Sequence, residues 1–392
     1  MHRWLLLVLL VVGQPLQAAA PAKSGPMTVA VVSVADDARH APRRVEKRWP
    51  GQSTGRLLTA ARLGLEDAQT ELQAAGLQAQ LREAQAASSE QLAATLQQLQ
   101  KNQVAYWLLD LPDALLPQAL QAAQQAGALA INASSAQDAL RAQCQALALH
   151  TFPSQAMLAD ALAQYLAARS WQKVLLLQGA SPADAALVQA WARASKRYGL
   201  KTTETKTFKL SGDPRERDAA NPKLLTAERS HDVVAVWDAE GEFARGLPYA
   251  TQWPRPVLGS NGLTALAWHP QWERYGGPQL NRRFTKLAQR PMTGHDWAAW
   301  VGIKALVTAW VADPKATPAQ VAARLRSGQL QVDGFKGQPL SFRAWDGQLR
   351  QPVLLGHADG VTASAPMDGV LHPVDTLDTL GVDEKESPCK KF

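Results

Sequence analysis

Cysteine is scarce in this chain: Cys144 and Cys389 are the only two among 392 residues. Two thiols so far apart do not provide a metal-binding framework, and in an oxidising compartment they are expected to form one disulfide. Closing so long a loop stabilises the folded chain by several kcal/mol on a chain-entropy model. The alternative is a pair of free thiols. With the bond formed, residues 373–392 are a tail pinned to the first half of the chain.

The chain also lacks the short motifs of common enzymes. It contains no G-x-S-x-G, H-E-x-x-H, C-x-x-C, G-x-G-x-x-G or P-loop pattern. The His-Asp neighbours at 231–232 and 295–296 have no recognisable nucleophile partner. We therefore expect a protein that is not an enzyme, with no catalytic residues, no metal ligands and no catalytic cofactor.

Long apolar runs are missing except at the start. Residues 1–20 combine Arg3, an apolar run and a group of small residues, which is the pattern of a cleaved secretory signal peptide and is too short to span a bilayer. We expect a soluble, exported, periplasmic protein. The net charge of +7 would suit nucleic acid, but export and the lack of a nucleic-acid motif argue against that partner. The positive net charge is also compatible with an anionic ligand.

From Met27 onward, short apolar runs alternate with helical patterns. The runs "MTVAVVSV" and "VAYWLLD" predict one set of buried strands, and "KVLLLQG" and "DVVAVWD" predict a second. This βαβα order predicts an α/β fold with two doubly wound, Rossmann-like lobes. We expect the N-terminal lobe to hold residues 27–150 plus 280–338 and the C-terminal lobe residues 153–270 plus 344–372. Three hinge crossings are expected near 150–153, 268–279 and 337–345.

The first loop after a predicted strand, "ARHAPRRVEKRWPG" at residues 38–51, is unusually basic. Ligands of open parallel sheets bind beyond the carboxyl ends of the strands, so this loop should open the cleft. Arginine grips a carboxylate with two parallel bonds, which makes Arg43 and Arg44 candidate ligand residues. The alternative is that both arginines are surface residues in contact with solvent. Trp49 is a candidate aromatic lid, and the charges of residues 39, 47 and 48 are assigned to solvent.

A family resemblance rests on several longer segments. After the signal peptide, "GRLLTAARLGLEDAQTELQAAG", "INASSAQDALR", "LHTFPSQAMLADALAQYL" and "QPLSFRAWDGQLRQPVLLGHADG" follow in order. They resemble the type I periplasmic solute-binding proteins of ABC importers, in the branched-chain amino acid class. "APRR", "AEGEFARGLPY", "AWHPQWERYGGPQLNRRF" and "RPMTGHDWAAW" are similar to the subset associated with alcohol dehydrogenase systems that depend on pyrroloquinoline quinone (PQQ).

The resemblance implies a monomeric protein whose two lobes close on a small molecule, with PQQ as the bound ligand and an ABC permease as the partner. The arginine-rich first loop replaces the small loop of the amino-acid binders, which argues against a leucine-like ligand. Two alternatives stay open. One is a binder of amino acids or of aromatic acids. The other is a sensor or partner that presents PQQ to a secreted quinoprotein dehydrogenase.

Further candidate ligand residues come from strand ends and element ends. The family uses a turn at "INASSA" to bind its ligand. Tryptophan faces suit a flat quinone, although packing is the alternative for each indole. For His150 the alternative is a hydrogen bond within the hinge, and for Lys304 it is contact with solvent. These candidates are Asn132, Ser134, Ser135, His150, Trp237, Trp268, Trp272, Trp297 and Lys304.

Overall fold

The computed structural model describes residues 25–47 and 51–389. The first part of the chain forms a five-stranded parallel sheet in the order β2-β1-β3-β4-β5. Its elements are β1 (Met27–Val34), α1 (Pro42–Lys47), α2 (Leu58–Asp67), α3 (Gln69–Ala74), β2 (Ala79–Ala86), α4 (Leu92–Lys101), β3 (Tyr106–Asp110), α5 (Leu116–Ala126), β4 (Leu129–Asn132), α6 (Asp138–Arg141) and β5 (Ala148–His150).

The second part forms a four-stranded parallel sheet in the order β7-β6-β8-β9. Its elements are α7 (Gln155–Ala168), β6 (Lys173–Gln178), α8 (Pro182–Arg197), β7 (Lys201–Thr207), α9 (Pro222–Leu225), β8 (Val233–Trp237), β9 (Val257–Gly259) and β10 (Thr264–Leu266). A capping box between Ser181 and Asp184 starts α8. Two such sheets confirm the predicted α/β fold with two doubly wound lobes.

The last part of the chain returns to both lobes. It contains α10 (Gly277–Ala288), α11 (Gly294–Ala312), α12 (Pro318–Arg326), β11 (Val332–Asp333), β12 (Pro339–Phe342), β13 (Leu349–Arg350), β14 (Val353–His357) and β15 (Gly360–Ala365). Helix α11 is apolar all round and almost wholly buried, because it lies between the first sheet and the surrounding helices. Strands β14 and β15 join β10 in an antiparallel sheet of the second lobe.

Strands β12 and β13 pack on the first lobe, because Leu340, Phe342 and Leu349 belong to the apolar core that contains the first sheet. The chain then passes through Gln351 to reach β14. The side-chain amide of Gln351 donates to the carbonyl of Thr151 at 2.8 Å, which ties this segment to the first crossing. The bounds of the lobes and of the third crossing stay as predicted from the sequence.

The C-terminal tail is attached to the rest of the protein by a disulfide and by ion pairs. Cys144 and Cys389 form the predicted disulfide, across a sequence separation of 245 residues. Before the bond, the carboxylate of Asp378 accepts from the buried guanidinium of Arg343 and from Arg350, each at 2.9 Å. The tail is therefore held by buried ion pairs as well as by the covalent bond.

Among the described residues, no helix is both long and apolar enough to cross a membrane.

Candidate functional site

The two parallel sheets place the loops at their carboxyl ends opposite each other. Arg44, in α1 after the first strand, donates from Nη1 to the carboxylate of Glu240, which follows β8 in the other lobe. The Glu240 side chain is 68% exposed and that of Arg44 is 29% exposed, so the pair lies at the rim. Because ligands of such sheets bind beyond the carboxyl ends of the strands, we take the junction of these loops as the interlobe cleft.

A fixed arginine lies at the first-lobe end of this cleft. Asp37 caps the 3₁₀ turn Ala38–His40 and accepts from the backbone N–H of Arg39. Nη2 of Arg39 then donates to Asp37 at 2.6 Å and to Asp110, the last residue of β3, at 3.0 Å. Burial alone lowers the pKa of Arg39, but the bonds and charges of the two aspartates outweigh it and raise that pKa. Arg39 therefore remains a cation.

Arg39 was assigned to solvent from the sequence, and the structure corrects this. Its side chain is only 20% exposed because it lies between two buried carboxylates. A second arginine, Arg56, donates from Nη2 to the carbonyl of Val34 at 2.6 Å, and its Nη1 lies 3.5 Å from Asp37. The missed signal was the pair of aspartates at 36–37 directly after the first strand, which marks a partner for nearby arginines.

Asp37, His40 and Asp110 have the spacing of a metal site, with one ligand atom from each lying within 4.8 Å of the others. A cation already occupies the gap between the two carboxylates, because Arg39 Nη2 bonds to both. An ion placed there would have to displace a bidentate, charge-assisted contact. We therefore interpret this cluster as a support for Arg39.

Two imidazoles complete this end of the cleft. Both ring nitrogens of His40 and Nδ1 of His295 are buried and have no hydrogen-bond partner within the described ranges. His295, in the first turn of α11, stacks on Phe152 of the first crossing, with ring centroids 4.2 Å apart and planes at 22°. Burial, with the nearby charge of Arg39, lowers the pKa of His295 to about 3. The ring is therefore neutral at pH 7.

The predicted turn after β4 is internally bonded. Oδ1 of Asn132 accepts from the backbone N–H groups of Ser134 and Ser135, at 3.2 and 3.0 Å. The Ser134 hydroxyl donates to the carbonyl of Leu111 at 2.8 Å. These three residues lie at the cleft edge of the sheet, but most of their polar atoms already bind the protein.

His150 is a hinge residue in the structure. Its Nδ1 lies 3.2 Å from the side-chain amide of Asn132, and its carbonyl accepts from Gln348 beside the third crossing. Burial, together with the charges of Arg141 and Arg326, holds the pKa of His150 well below its usual range. The ring is a neutral, bonded part of the hinge, which agrees with the structural alternative.

The four tryptophans proposed for stacking are buried and packed against other protein rings or atoms. Their exposed fractions are 6% or less. Trp268 stacks parallel to Trp297 at 6.2 Å, and the N–H groups of Trp272 and Trp297 donate to the carbonyls of Phe335 and Gly334. Trp237 packs on a neighbouring indole at 5.5 Å. We assign all four to the cores of the lobes.

The remaining predicted residues have different outcomes. Lys304 donates to the carbonyl of Asp333 at 3.2 Å and lies over the ring of Trp300, so its ammonium is engaged by groups of the protein. The backbone of Arg43 lies in α1 beside Arg44. Trp49 lies outside the described residues.

No protein-family model and no curated protein sequence matches the chain. Solved structures match it over almost its whole length. A leucine-, isoleucine-, valine-, threonine- and alanine-binding protein from Brucella ovis, in a closed conformation, superposes with a TM-score of 0.71 at 14% identity, covering 94% of this chain and 99% of that one. The fold is that of the type I periplasmic binding proteins.

Two further periplasmic binding proteins show the range of ligands on this fold. A branched-chain amino acid ABC transporter periplasmic ligand-binding protein from Burkholderia xenovorans has a TM-score of 0.69 at 13% identity, covering 93% of this chain and 99% of that one. An ABC transporter solute-binding protein from R. palustris, in complex with benzoate, has a TM-score of 0.65 at 12% identity, covering 93% and 100%. At these identities the likeness is one of fold.

Proposed function

We propose that this chain is the periplasmic solute-binding protein of an ABC importer and that it captures PQQ or a similar anionic aromatic in its interlobe cleft. The observation that carries the proposal is the concentration of arginine where the strand ends of the two lobes meet. Arg39 and Arg56 lie at the end of the first sheet, and Arg44 reaches across to the second lobe. The geometry of such forked donors matches a carboxylate, which they can bind with two parallel bonds.

Capture would proceed by hinge closure. The open protein offers the ligand to one lobe, the lobes rotate about the crossings, and the closed form is the one that a permease recognises. The bonds between the crossings, such as Gln351 to Thr151, keep the hinge strands together while the lobes rotate. The ligand stabilises the closed form only through contacts that the open form lacks.

The proposed ligand residues are Arg44 of the basic loop and Ser134 and Ser135 of the turn after β4, which combine charge or polarity with a place at the cleft. Arg43 and Trp49 of the same loop are proposed from the sequence alone. In the mature protein, exported after removal of residues 1–20, these groups would meet a ligand in the periplasm. We propose a monomer that works with a permease.

A second candidate is a simpler aromatic carboxylate. The fold relative from R. palustris holds benzoate. Benzoate has one carboxylate where PQQ has three, and the same arginines would bind it.

The first experiment is a titration of the purified mature protein with PQQ, benzoate and leucine, followed by tryptophan fluorescence and by melting temperature. Twelve of the 13 tryptophans lie after residue 20, so the mature protein keeps a strong intrinsic fluorescence. We expect PQQ to shift both readouts. Shifts with leucine and none with PQQ would show that the cargo assignment is wrong. Shifts with benzoate alone would select the second candidate.

A variant pair tests the basic loop. Arg43→Ala combined with Arg44→Ala should weaken PQQ binding at moderate salt, because two forked cations are removed. Glu240→Gln is the matched control, since it removes the rim partner of Arg44 and keeps the guanidinium. If the double variant keeps the affinity of the wild type, both arginines belong to the solvated surface.

A further inference from the structure

Three side chains at the end of the first sheet have hydrogen-bonding atoms without a partner in the described parts of the chain. Both ring nitrogens of His40 and Nδ1 of His295 are buried without a partner among residues 25–47 and 51–389. Arg39 donates from Nε to Asp37 and from Nη2 to both Asp37 and Asp110. Its Nη1 makes no hydrogen bond within the same ranges. Buried polar atoms without partners are rare, because each has given up its bonds to water.

These atoms share one location. His40 Nε2 lies 3.8 Å from Asp37 and 3.9 Å from Asp110, the same carboxylates that hold Arg39. Arg39 and His40 both lie near enough to His295 to disfavour its protonation. A neutral imidazole has one donor and one acceptor nitrogen, so His295 can give a hydrogen bond to an anion without carrying charge itself. The cluster thus offers Arg39 and two imidazoles in one shielded place, where Arg39 and Arg56 balance the charges of Asp37 and Asp110.

Two aspartates at the strand ends of the second lobe are already bonded to the protein. In the second lobe, Asp184 accepts from the hydroxyl of Ser181 and from the backbone N–H of Ala239. Asp238 accepts from three backbone N–H groups, including that of Gly241. A carboxylate that already accepts several bonds has few lone pairs left for a ligand cation. Glu240 is engaged with the arginine at the rim.

We propose that Arg39, His40 and His295 bind a carboxylate of the ligand and that this ligand is an organic acid without an α-ammonium group. This inference rests on the proposed function and specifies the chemistry of its site. It selects aryl carboxylates, with one acid group or several, over α-amino acids. The carboxylate would supply the missing acceptors for the imidazole N–H groups and for Nη1 of Arg39.

The test uses His295→Phe and His40→Leu in the full mature chain, with benzoate, PQQ and leucine as probes in isothermal titration calorimetry. Phenylalanine keeps the stacking on Phe152 and removes the unpartnered nitrogen. We expect the affinity for the acid that the wild type binds to fall about tenfold or more in each variant, the loss of one charge-assisted bond. The melting temperature of unliganded His295→Phe should stay equal or rise, because no protein hydrogen bond is lost. A purely structural role would lower it.

His231→Leu is the matched control. This histidine also has a buried ring nitrogen without a partner in the described chain. It precedes β8, so it lies at the amino end of that strand, whereas the cleft lies at the carboxyl end. Its replacement should leave ligand affinity unchanged. If the wild type binds PQQ or benzoate and both histidine variants keep that affinity, this inference is overturned and the proposed function stands. Binding of leucine as tightly as either acid would also overturn it. A wild type that binds none of the three probes would overturn both proposals.

Discussion

Removing the disulfide by Cys144→Ser with Cys389→Ala should destabilise the protein without changing its native structure. The tail keeps its other anchors, because Arg343 donates to Asp378 and to two tail carbonyls whether or not the bond exists. The effect should therefore come mainly from the unfolded chain, which regains the freedom that a closed loop denies it.

The sequence separation of 245 residues sets the size of this effect. The chain-entropy model gives about 5.5 kcal/mol for a loop of that length at 25 °C. Denatured chains are more compact than the model assumes, so we expect a measured loss of about 3–5 kcal/mol in the free energy of unfolding.

The assay is urea unfolding followed by tryptophan fluorescence and circular dichroism, on the oxidised wild type and the double variant. A reductant should bring the wild type close to the variant and leave the variant unchanged. Native spectra and ligand affinity should be equal in both proteins. A difference in unfolding free energy below about 1 kcal/mol would refute the reasoning. It would mean that the denatured chain is already confined, or that the tail contacts alone account for the stability.

Three further predictions concern single sites. Asp378→Asn should cost about 3–5 kcal/mol in urea unfolding, because it removes the carboxylate 2.9 Å from the buried Arg343 and leaves that guanidinium with Asp346 at 3.9 Å. Gly64→Ala should cost about 1–3 kcal/mol, since the added methyl would lie 2.7 Å from a carbonyl oxygen of α11, while Gly246→Ala, which meets no atom within 4 Å, should not show this loss. The pKa of about 3 for His295 lies below its unfolded value, so its contribution to stability is present above pH 6.5 and is lost as the pH falls towards 3. From pH 7 to pH 5 the wild type should lose up to about 2 kcal/mol more than His295→Phe, and parallel losses in unfolding experiments would contradict the assignment.

Much of the fold was predictable because it depends on local pattern. Apolar runs such as that of β1, followed by segments with helical spacing, determine parallel strands with helical crossovers, whatever the details of packing. The disulfide was predictable for a simpler reason, since the chain has only two cysteines to pair. The packing of the short strands β12 and β13 was not predictable, because segments of four and two residues give no signal of which lobe they pack against.

The candidate site was predictable only as a location. The sequence by itself determined that an arginine-rich loop follows the first strand of a doubly wound lobe, because chain order and strand direction place it at the cleft. Only the tertiary structure decided that Arg39 is clamped by Asp37 and Asp110, which are far apart in sequence. It also decided that tryptophans such as Trp297 are buried in the cores. Side-chain contacts across strands and lobes depend on three-dimensional neighbours, and a pattern of spacing along one chain does not contain them.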